Sequence, residues 1–106
     1  MDTSFGKLVL LNPNGQEQEF KLAKASISMG QATTNDIIIN DAQVSRNHAR
    51  LECNSQGITL IDLSSSNGTH LNNVRIDRAT LCPGDIISLG SRQLKYQVGR
   101  LVRTLG

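Results

Sequence analysis

The chain has 106 residues, of which 38% are hydrophobic and 19% are charged, and its formal net charge is +2 at pH 7. This length and composition predict one globular domain with its own core rather than a disordered chain. The basic residues form no stripe and few aromatic residues could stack on bases, so we expect no nucleic-acid partner. No apolar run approaches the roughly 20 residues of a membrane span, so we expect no membrane partner either.

The first half of the chain has the pattern of short strands separated by turn residues. In the turn Asn12-Pro13-Asn14-Gly15, proline fixes one φ angle and Asn-Gly tolerates positive φ, which predicts a hairpin. A polar loop over 40–47 precedes a strand in which apolar and charged residues alternate. Strands are predicted over 5–11, 17–22, 25–29, 36–39 and 48–53.

The second half continues in the same way. A loop of serine and asparagine side chains is closed by Asn67-Gly68, and Asn72-Asn73 indicates a tight hairpin. Turn signals recur every 8–12 residues or so, and no window keeps a helical period for three turns. The sequence therefore predicts an all-β sandwich of two antiparallel sheets with roughly ten or eleven short strands. The strands of this half are predicted over 58–62, 69–71, 74–76, 86–89 and 93–98.

Two polar loops carry most of the chemistry. The first contains Ser45 and Arg46 and leads directly into the alternating strand, and the second is Ser64-Ser65-Ser66-Asn67-Gly68-Thr69. Hydroxyl, guanidinium and amide groups all donate hydrogen bonds, and none of them adds negative charge. If both loops lie at the same end of the sandwich, they form an anion-binding mouth, which indicates a recognition module.

Several short motifs occur in one register between Ser26 and Tyr96. They are Gly30, Asn35-Asp36-Ile37, Val44-Ser45-Arg46-x-His48-Ala49, Asp62-Leu63, Ser66-Asn67-Gly68-Thr69 and Leu81-x-x-Gly84-Asp85-x-Ile87-x-Leu89-Gly90. In this order and spacing they resemble the forkhead-associated (FHA) domain family. The resemblance implies an eleven-strand β-sandwich with its ligand loops at one end. We therefore assign 1–98 to an FHA domain and 99–106 to a tail that leads into a further region of a longer protein.

The resemblance also implies binding of phosphothreonine peptides, a mode of phosphorylated-motif recognition for which FHA domains are a standard example. By position, Ser45 would donate its hydroxyl to a phosphate oxygen and Arg46 would supply a second polar contact. Ser66 and Asn67 would lie on the other side of the mouth, with the Asn67 amide holding the ligand backbone. The implied partner is a phosphothreonine-containing protein of a cytoplasmic kinase pathway, recognised by a module fused to or acting with an effector domain.

The residues that support these loops include one departure from the family pattern. By resemblance, Gly30 and Gly68 would allow backbone positions that a Cβ forbids, and His48 would brace the two loops. The family usually follows the first glycine with an arginine that grips the phosphate, but this chain has Gln31. Glutamine keeps a donor but lacks the charge and the bidentate fork. We therefore expect weaker phosphopeptide binding, and the alternative is a phosphate-independent protein–protein or intramolecular docking module.

An enzymatic function is disfavoured. His48 lies three residues from Ser45 and could be imagined as its general base, with Asp41 or Asp62 as the orienting group. The residues around this pair do not predict an oxyanion hole, and the sequence shows no paired carboxylates or nucleotide-binding loop. The sequence therefore predicts binding rather than catalysis, with no cofactor.

A metal site is not indicated either. His48, His70, Cys53 and Cys82 lack the paired spacing of metal ligands, and Cys53 falls on the apolar face of its strand. A disulfide between the two cysteines stays open from sequence, although reduced thiols in a cytoplasmic chain are favoured.

Overall fold

The computed structural model describes residues 5–98, and these form eleven strands in two sheets. The predicted tail over 99–106 lies outside the described residues, so the domain boundary at residue 98 stays a prediction. No helix within the described part is long and apolar enough to cross a bilayer. The strands are β1 (Lys7–Leu11), β2 (Glu17–Lys21), β3 (Ser26–Gly30), β4 (Ile37–Ile38), β5 (Ala49–Asn54), β6 (Gly57–Asp62), β7 (Thr69–Leu71), β8 (Val74–Ile76), β9 (Arg78–Thr80), β10 (Ile86–Leu89) and β11 (Arg92–Gln97).

The two sheets confirm the predicted sandwich. One sheet has six strands in the order β2-β1-β11-β10-β7-β8, and the other has five in the order β4-β3-β5-β6-β9. The pairs are antiparallel except for the short β4, which runs parallel to β3 with Met29 opposite Ile37. This pairing brings the start of the first polar loop beside the end of β3.

The core lies between the sheets and follows the alternation in the sequence. In β5, Ala49, Leu51 and Cys53 are buried while Arg50 and Glu52 face outward. Each large apolar side chain buried in this way stabilises the fold by about 1.5–3 kcal/mol. The sandwich is therefore a rigid base for the loops at its ends. The largest fully buried apolar side chains are Leu8, Leu22, Met29, Ile37, Ile39, Leu51, Leu60, Ile87, Leu89 and Leu94.

Strand β9 has no counterpart among the predicted strands. It pairs with β6 at the edge of the five-stranded sheet, where Arg78 is opposite Ile61 and Ala79 is opposite Leu60. Its three residues are exposed or only half-buried. Because backbone pairing rather than an apolar stripe holds this strand, periodicity in the sequence could not reveal it.

Two local expectations are resolved by the structure. Asn72 and Asn73 have φ angles of 51° and 70°, which confirms the tight hairpin between β7 and β8. Cys53 and Cys82 are both free, the first buried and the second exposed, so the disulfide alternative is wrong. Burial raises the pKa of the Cys53 thiol, which keeps it protonated in the core.

Candidate functional site

The two polar loops meet at one end of the sandwich and are joined across a mouth. We call residues 40–47 the first loop and residues 63–68 the second loop. The Ser45 hydroxyl oxygen accepts the Ser66 backbone N–H at 3.0 Å. In the opposite direction, Asn67 Nδ2 donates to the Gln43 carbonyl oxygen at 2.8 Å. The structure therefore brings together the four loop residues that the sequence singled out: Ser45, Arg46, Ser66 and Asn67.

His48 is fully buried beneath the mouth and contacts both loops. Its Nδ1 accepts the Ser45 backbone N–H at 3.0 Å, so the ring proton lies on Nε2. Nε2 donates to the Gly68 carbonyl oxygen at 2.9 Å. Both ring nitrogens are therefore occupied by backbone groups. The imidazole does not contact the Ser45 hydroxyl as a general base would.

Gly30 and Gly68 support the loops for different reasons. A Cβ on Gly30 would lie 2.2 Å from the Arg46 carbonyl oxygen, so the first loop could not approach β3 as closely. The adjacent backbone uses this approach, because the Gln31 N–H donates to the Ser45 carbonyl oxygen at 3.0 Å. Gly68 instead has a φ of +85°, a conformation that side-chain-bearing residues rarely adopt.

Asp62 organises the second loop. Its Oδ1 accepts hydrogen bonds from Ser65 Oγ at 2.5 Å and Thr69 Oγ1 at 2.6 Å, and its Oδ2 accepts the Ser65 N–H at 3.2 Å. Burial of the carboxyl works against ionisation, but these donors outweigh it and lower the pKa of Asp62. The Asp-x-x-Ser spacing, which lets a side chain bond a backbone N–H three residues on, was the available signal.

Asp41 anchors the first loop to the β10–β11 hairpin. Its carboxylate accepts hydrogen bonds from the Ser91 hydroxyl and, at 2.8 Å, from the Gln43 N–H. Arg92 Nε lies 3.9 Å from the same carboxylate. These contacts, led by the Ser91 hydrogen bond, lower the pKa of Asp41. Sequence reasoning missed this anchor because Ser91 lies fifty residues away in the chain.

Gln31 and Arg46 differ in the number of hydrogen-bond donors that they leave for a ligand. The Gln31 side chain is half-buried and its Nε2 donates to the Asp41 carbonyl oxygen at 3.2 Å. One of its two amide protons is thus used within the protein. The Arg46 side chain is exposed, and within residues 5–98 nothing accepts a hydrogen bond from its guanidinium. The first loop therefore supplies a cationic group at the mouth, whereas the position after Gly30 does not.

The chemistry of the mouth favours an oxyanion over a metal. The Asp41 carboxylate is turned to donors of Gln43 and Ser91, and the Asp62 carboxylate to donors of Ser65 and Thr69. Hydroxyl, guanidinium and amide donors lie at the surface of the mouth. Among the described residues, no group of three or more His, Cys, Asp or Glu side chains could hold a metal ion.

This chain is similar in sequence to known proteins. The family model described as "FHA domain" matches residues 27–90. The glycogen accumulation regulator GarA of Mycobacterium tuberculosis is 33% identical over 92 residues, which are 87% of this chain and 56% of GarA. The ABC transporter ATP-binding/permease protein Rv1747 of the same organism is 36% identical over 83 residues, 78% of this chain and 10% of the transporter. The chain thus spans about half or less of these two relatives.

Solved structures with similar folds also match this chain. One, from a structural and functional analysis of phosphothreonine-dependent FHA domain interactions, has a TM-score of 0.81 and 28% identity and covers 90% of this chain and 99% of that chain. Mycobacterium tuberculosis EmbR in complex with a low-affinity phosphopeptide has a TM-score of 0.79 and 29% identity, covering 93% of this chain and 26% of EmbR.

Proposed function

Because the chain belongs to the FHA domain family, we propose that it is a recognition module for phosphothreonine in partner proteins. The observation that carries this proposal is the position of the Ser45 hydroxyl. Its oxygen accepts the Ser66 N–H at 3.0 Å, which leaves its own proton for a ligand oxygen. A hydroxyl that donates to a phosphate oxygen forms a charge-assisted hydrogen bond, stronger than one between neutral groups.

The other residues of the mouth take complementary roles in this proposal. Arg46 supplies positive charge from the first loop, and the exposed Ser66 adds a hydroxyl from the second. Asn67 uses one amide proton on the Gln43 carbonyl, and its second proton and its Oδ1 suit the backbone of an extended ligand. Beneath them, Gly30, His48 and Gly68 hold the loops in place.

Gln31 weakens this site compared with family members that have arginine there. Its amide carries no net charge, and its hydrogen bond to the Asp41 carbonyl turns one donor away from the ligand. Binding of the phosphate would then depend on Ser45, Arg46 and Ser66. The same observation favours a second candidate function, phosphate-independent docking of a protein or of another segment of the same protein.

The discriminating experiment is a calorimetric titration of one peptide library in phosphothreonine and unmodified threonine forms. Under the first proposal, only the phosphorylated peptides bind measurably, and the affinity falls as salt increases. Equal affinity of both forms would replace it with the docking function. A phosphoserine version of the best peptide serves as the control for side-chain specificity.

The wider role follows from the chemistry of the ligand. Phosphothreonine in proteins is produced by protein kinases, so we place the module in cytoplasmic kinase signalling, where it would recruit a phosphorylated partner to an effector domain. The work of such a module is binding, and we assign it neither catalysis nor a cofactor.

A further inference from the structure

The turn between β10 and β11 packs against the first loop. Its first residue, Gly90, comes so close that a Cβ added there would lie 3.0 Å from Gln43 Cβ. Its second residue, Ser91, donates its hydroxyl to the Asp41 carboxylate. The first loop is therefore held by the six-stranded sheet as well as by β3 of the five-stranded sheet.

Asp41 joins this turn to the backbone of the first loop. Its side chain is only 10% exposed, and its two carboxylate oxygens have different partners. Oδ1 accepts the Gln43 N–H at 2.8 Å, and Oδ2 accepts the Ser91 hydroxyl. Arg92 Nε lies 3.9 Å from Oδ2, and its Nη1 donates to Asn12 Oδ1 at 3.1 Å in the turn between β1 and β2. The carboxylate is therefore a fixed bridge rather than a free group at the surface.

The bridge continues from Gln43 to Asn67 on the second loop. The same Gln43 backbone that is bound to Asp41 presents its carbonyl oxygen to Asn67 Nδ2, which donates to it at 2.8 Å. The contacts therefore run from the β10–β11 turn, through the first loop, to the amide across the mouth. Without the hold on Gln43, the exposed Asn67 side chain would be free to turn toward water.

We propose that Asp41 is a positioning residue for ligand binding, which is held by Ser91 and fixes Gln43 so that the Asn67 amide is presented to the ligand backbone. The inference rests on the proposed phosphothreonine function and adds to it a residue that does not touch the ligand. A side chain that is already held in its bound orientation loses less conformational entropy when the ligand arrives. Asp41 would thus raise the affinity without a ligand contact of its own.

The test compares Asp41→Ala with Asp41→Asn, because both remove the negative charge but only alanine removes the hydrogen bonds. In Asp41→Asn, Oδ1 can still accept the Gln43 N–H, and Nδ2 can donate to the Ser91 hydroxyl oxygen. Each variant is titrated by calorimetry with the tightest-binding phosphothreonine peptide of the library. Asp41→Ala should bind about two- to tenfold more weakly than Asp41→Asn, the cost of ordering one further side chain. Asp41→Asn should bind at least as tightly as the parent.

Asp85→Ala is the matched control for the loss of a bonded carboxylate. The Asp85 carboxylate accepts Asn72 Nδ2 at 2.9 Å and the Cys82 N–H at 2.8 Å, and it precedes β10 at the end opposite the β10–β11 turn. This variant should bind the peptide as tightly as the parent. A loss of affinity equal to that of Asp41→Ala would overturn the proposal, because loss of a loop carboxylate would then act regardless of its position.

A double-mutant cycle tests whether Asp41 acts through Asn67. If it does, Asp41→Ala should lower the affinity by a much smaller factor when position 67 is already alanine. An equal factor in the parent and in Asn67→Ala would overturn the proposal, since Asp41 would then support some other part of the mouth.

Ser91 provides a milder variant that keeps the Asp41 carboxylate. Ser91→Ala removes only an exposed hydroxyl and should bind about two- to fivefold more weakly, whereas Ser91→Thr, which keeps the hydroxyl, should bind like the parent. Unchanged affinity in Ser91→Ala, or equal affinities of Asp41→Ala and Asp41→Asn, would overturn this inference alone. If the parent binds no phosphothreonine peptide, the proposed function fails and this inference fails with it.

Discussion

Two layers at the same end of the sandwich use polar side chains in opposite ways. We call the lower layer the brace, and it consists of Gly30, His48, Asp62, Ser65 and Thr69. We call the upper layer the rim, and it consists of Gln31, Arg46, Ser66 and Asn67. In the brace, His48 and Thr69 are fully buried and their polar atoms are bonded within the protein. In the rim, Arg46, Ser66 and Asn67 are exposed and keep donors for a ligand.

This difference indicates whether a substitution should change the stability of the fold or the affinity for a ligand. Buried groups bonded inside the protein lose stability when a partner is removed, because the group left behind is unsatisfied. Exposed donors have water as an alternative partner, so their loss costs little until a ligand arrives. Ser45 joins the layers, since its N–H donates to His48 and its hydroxyl oxygen accepts from Ser66. Substitutions at His48, Asp62, Ser45 and Gln31 test this division.

His48→Ala should have the largest effect. It removes a fully buried ring and leaves the Ser45 N–H and the Gly68 carbonyl without partners. We expect a loss of about 2–4 kcal/mol in the free energy of unfolding, measured by urea denaturation. The control is His70→Ala, a half-buried position on the outer face of the six-stranded sheet, where the loss should be much smaller. Equal losses of stability at both positions would contradict the role of His48 in holding the two loops together.

Asp62→Asn should come next, with a loss of about 2–3 kcal/mol. An amide keeps one acceptor and presents N–H groups to the donors of Ser65 and Thr69. Because the folded-state pKa of Asp62 is lowered, its carboxylate stabilises the fold above its ordinary pKa, and this is lost as the pH falls through the folded value. The stability difference between parent and variant should therefore be constant above about pH 5 and shrink below about pH 4. A difference that does not change with pH would contradict the carboxylate role.

The sequence predicted the rim more completely than the brace. Turn residues and alternating strands placed Ser45 and Ser66 on loops at strand ends, and the motif order suggested that the loops meet. The contacts of Asp41 could not be predicted, because they depend on a partner as distant as Ser91. For Asp62, the Asp-x-x-Ser spacing was a signal for the local bond to Ser65, but not for the bond to Thr69. The direction of the Gln31 amide could not be predicted either, because it depends on the path of the first loop.

Ser45→Ala probes the junction of the layers and should act mainly on binding. Loss of the hydroxyl removes the donor that we assign to phosphate, at a cost of about 1.5–3 kcal/mol or roughly ten- to a hundredfold in affinity. The thermal midpoint should change little, because only the Ser66 N–H loses a partner and that residue is exposed. The matched control is Ser55→Ala in the exposed β5–β6 turn, which should leave both quantities unchanged. Unaltered phosphopeptide affinity in Ser45→Ala would remove this serine from the site.

Gln31→Arg should have the smallest effect and is the only change expected to improve binding. The backbone bond from Gln31 N–H to the Ser45 carbonyl is kept, and the variant gives up only the side-chain bond to the Asp41 carbonyl. A guanidinium–phosphate contact contributes about 1.5–3 kcal/mol, less the entropy of ordering a longer side chain. The net result should be a several-fold to tens-fold gain in affinity for phosphothreonine peptide.

The salt dependence of the affinity gain, and a control variant that adds the same charge elsewhere, distinguish a phosphate contact from a general effect of charge. The contact is open to water, so the gain should shrink as the salt concentration rises, and the unphosphorylated peptide should be unaffected. Gln56→Arg adds the same charge in the β5–β6 turn, which lies beyond the far end of β5 from the first loop, and should give no comparable gain. Calorimetry of the parent and both variants against one phosphopeptide at two salt concentrations measures these differences. If Gln31→Arg binds no more tightly than the parent, position 31 does not face the phosphate, and the rim is then Arg46, Ser66 and Asn67 without it.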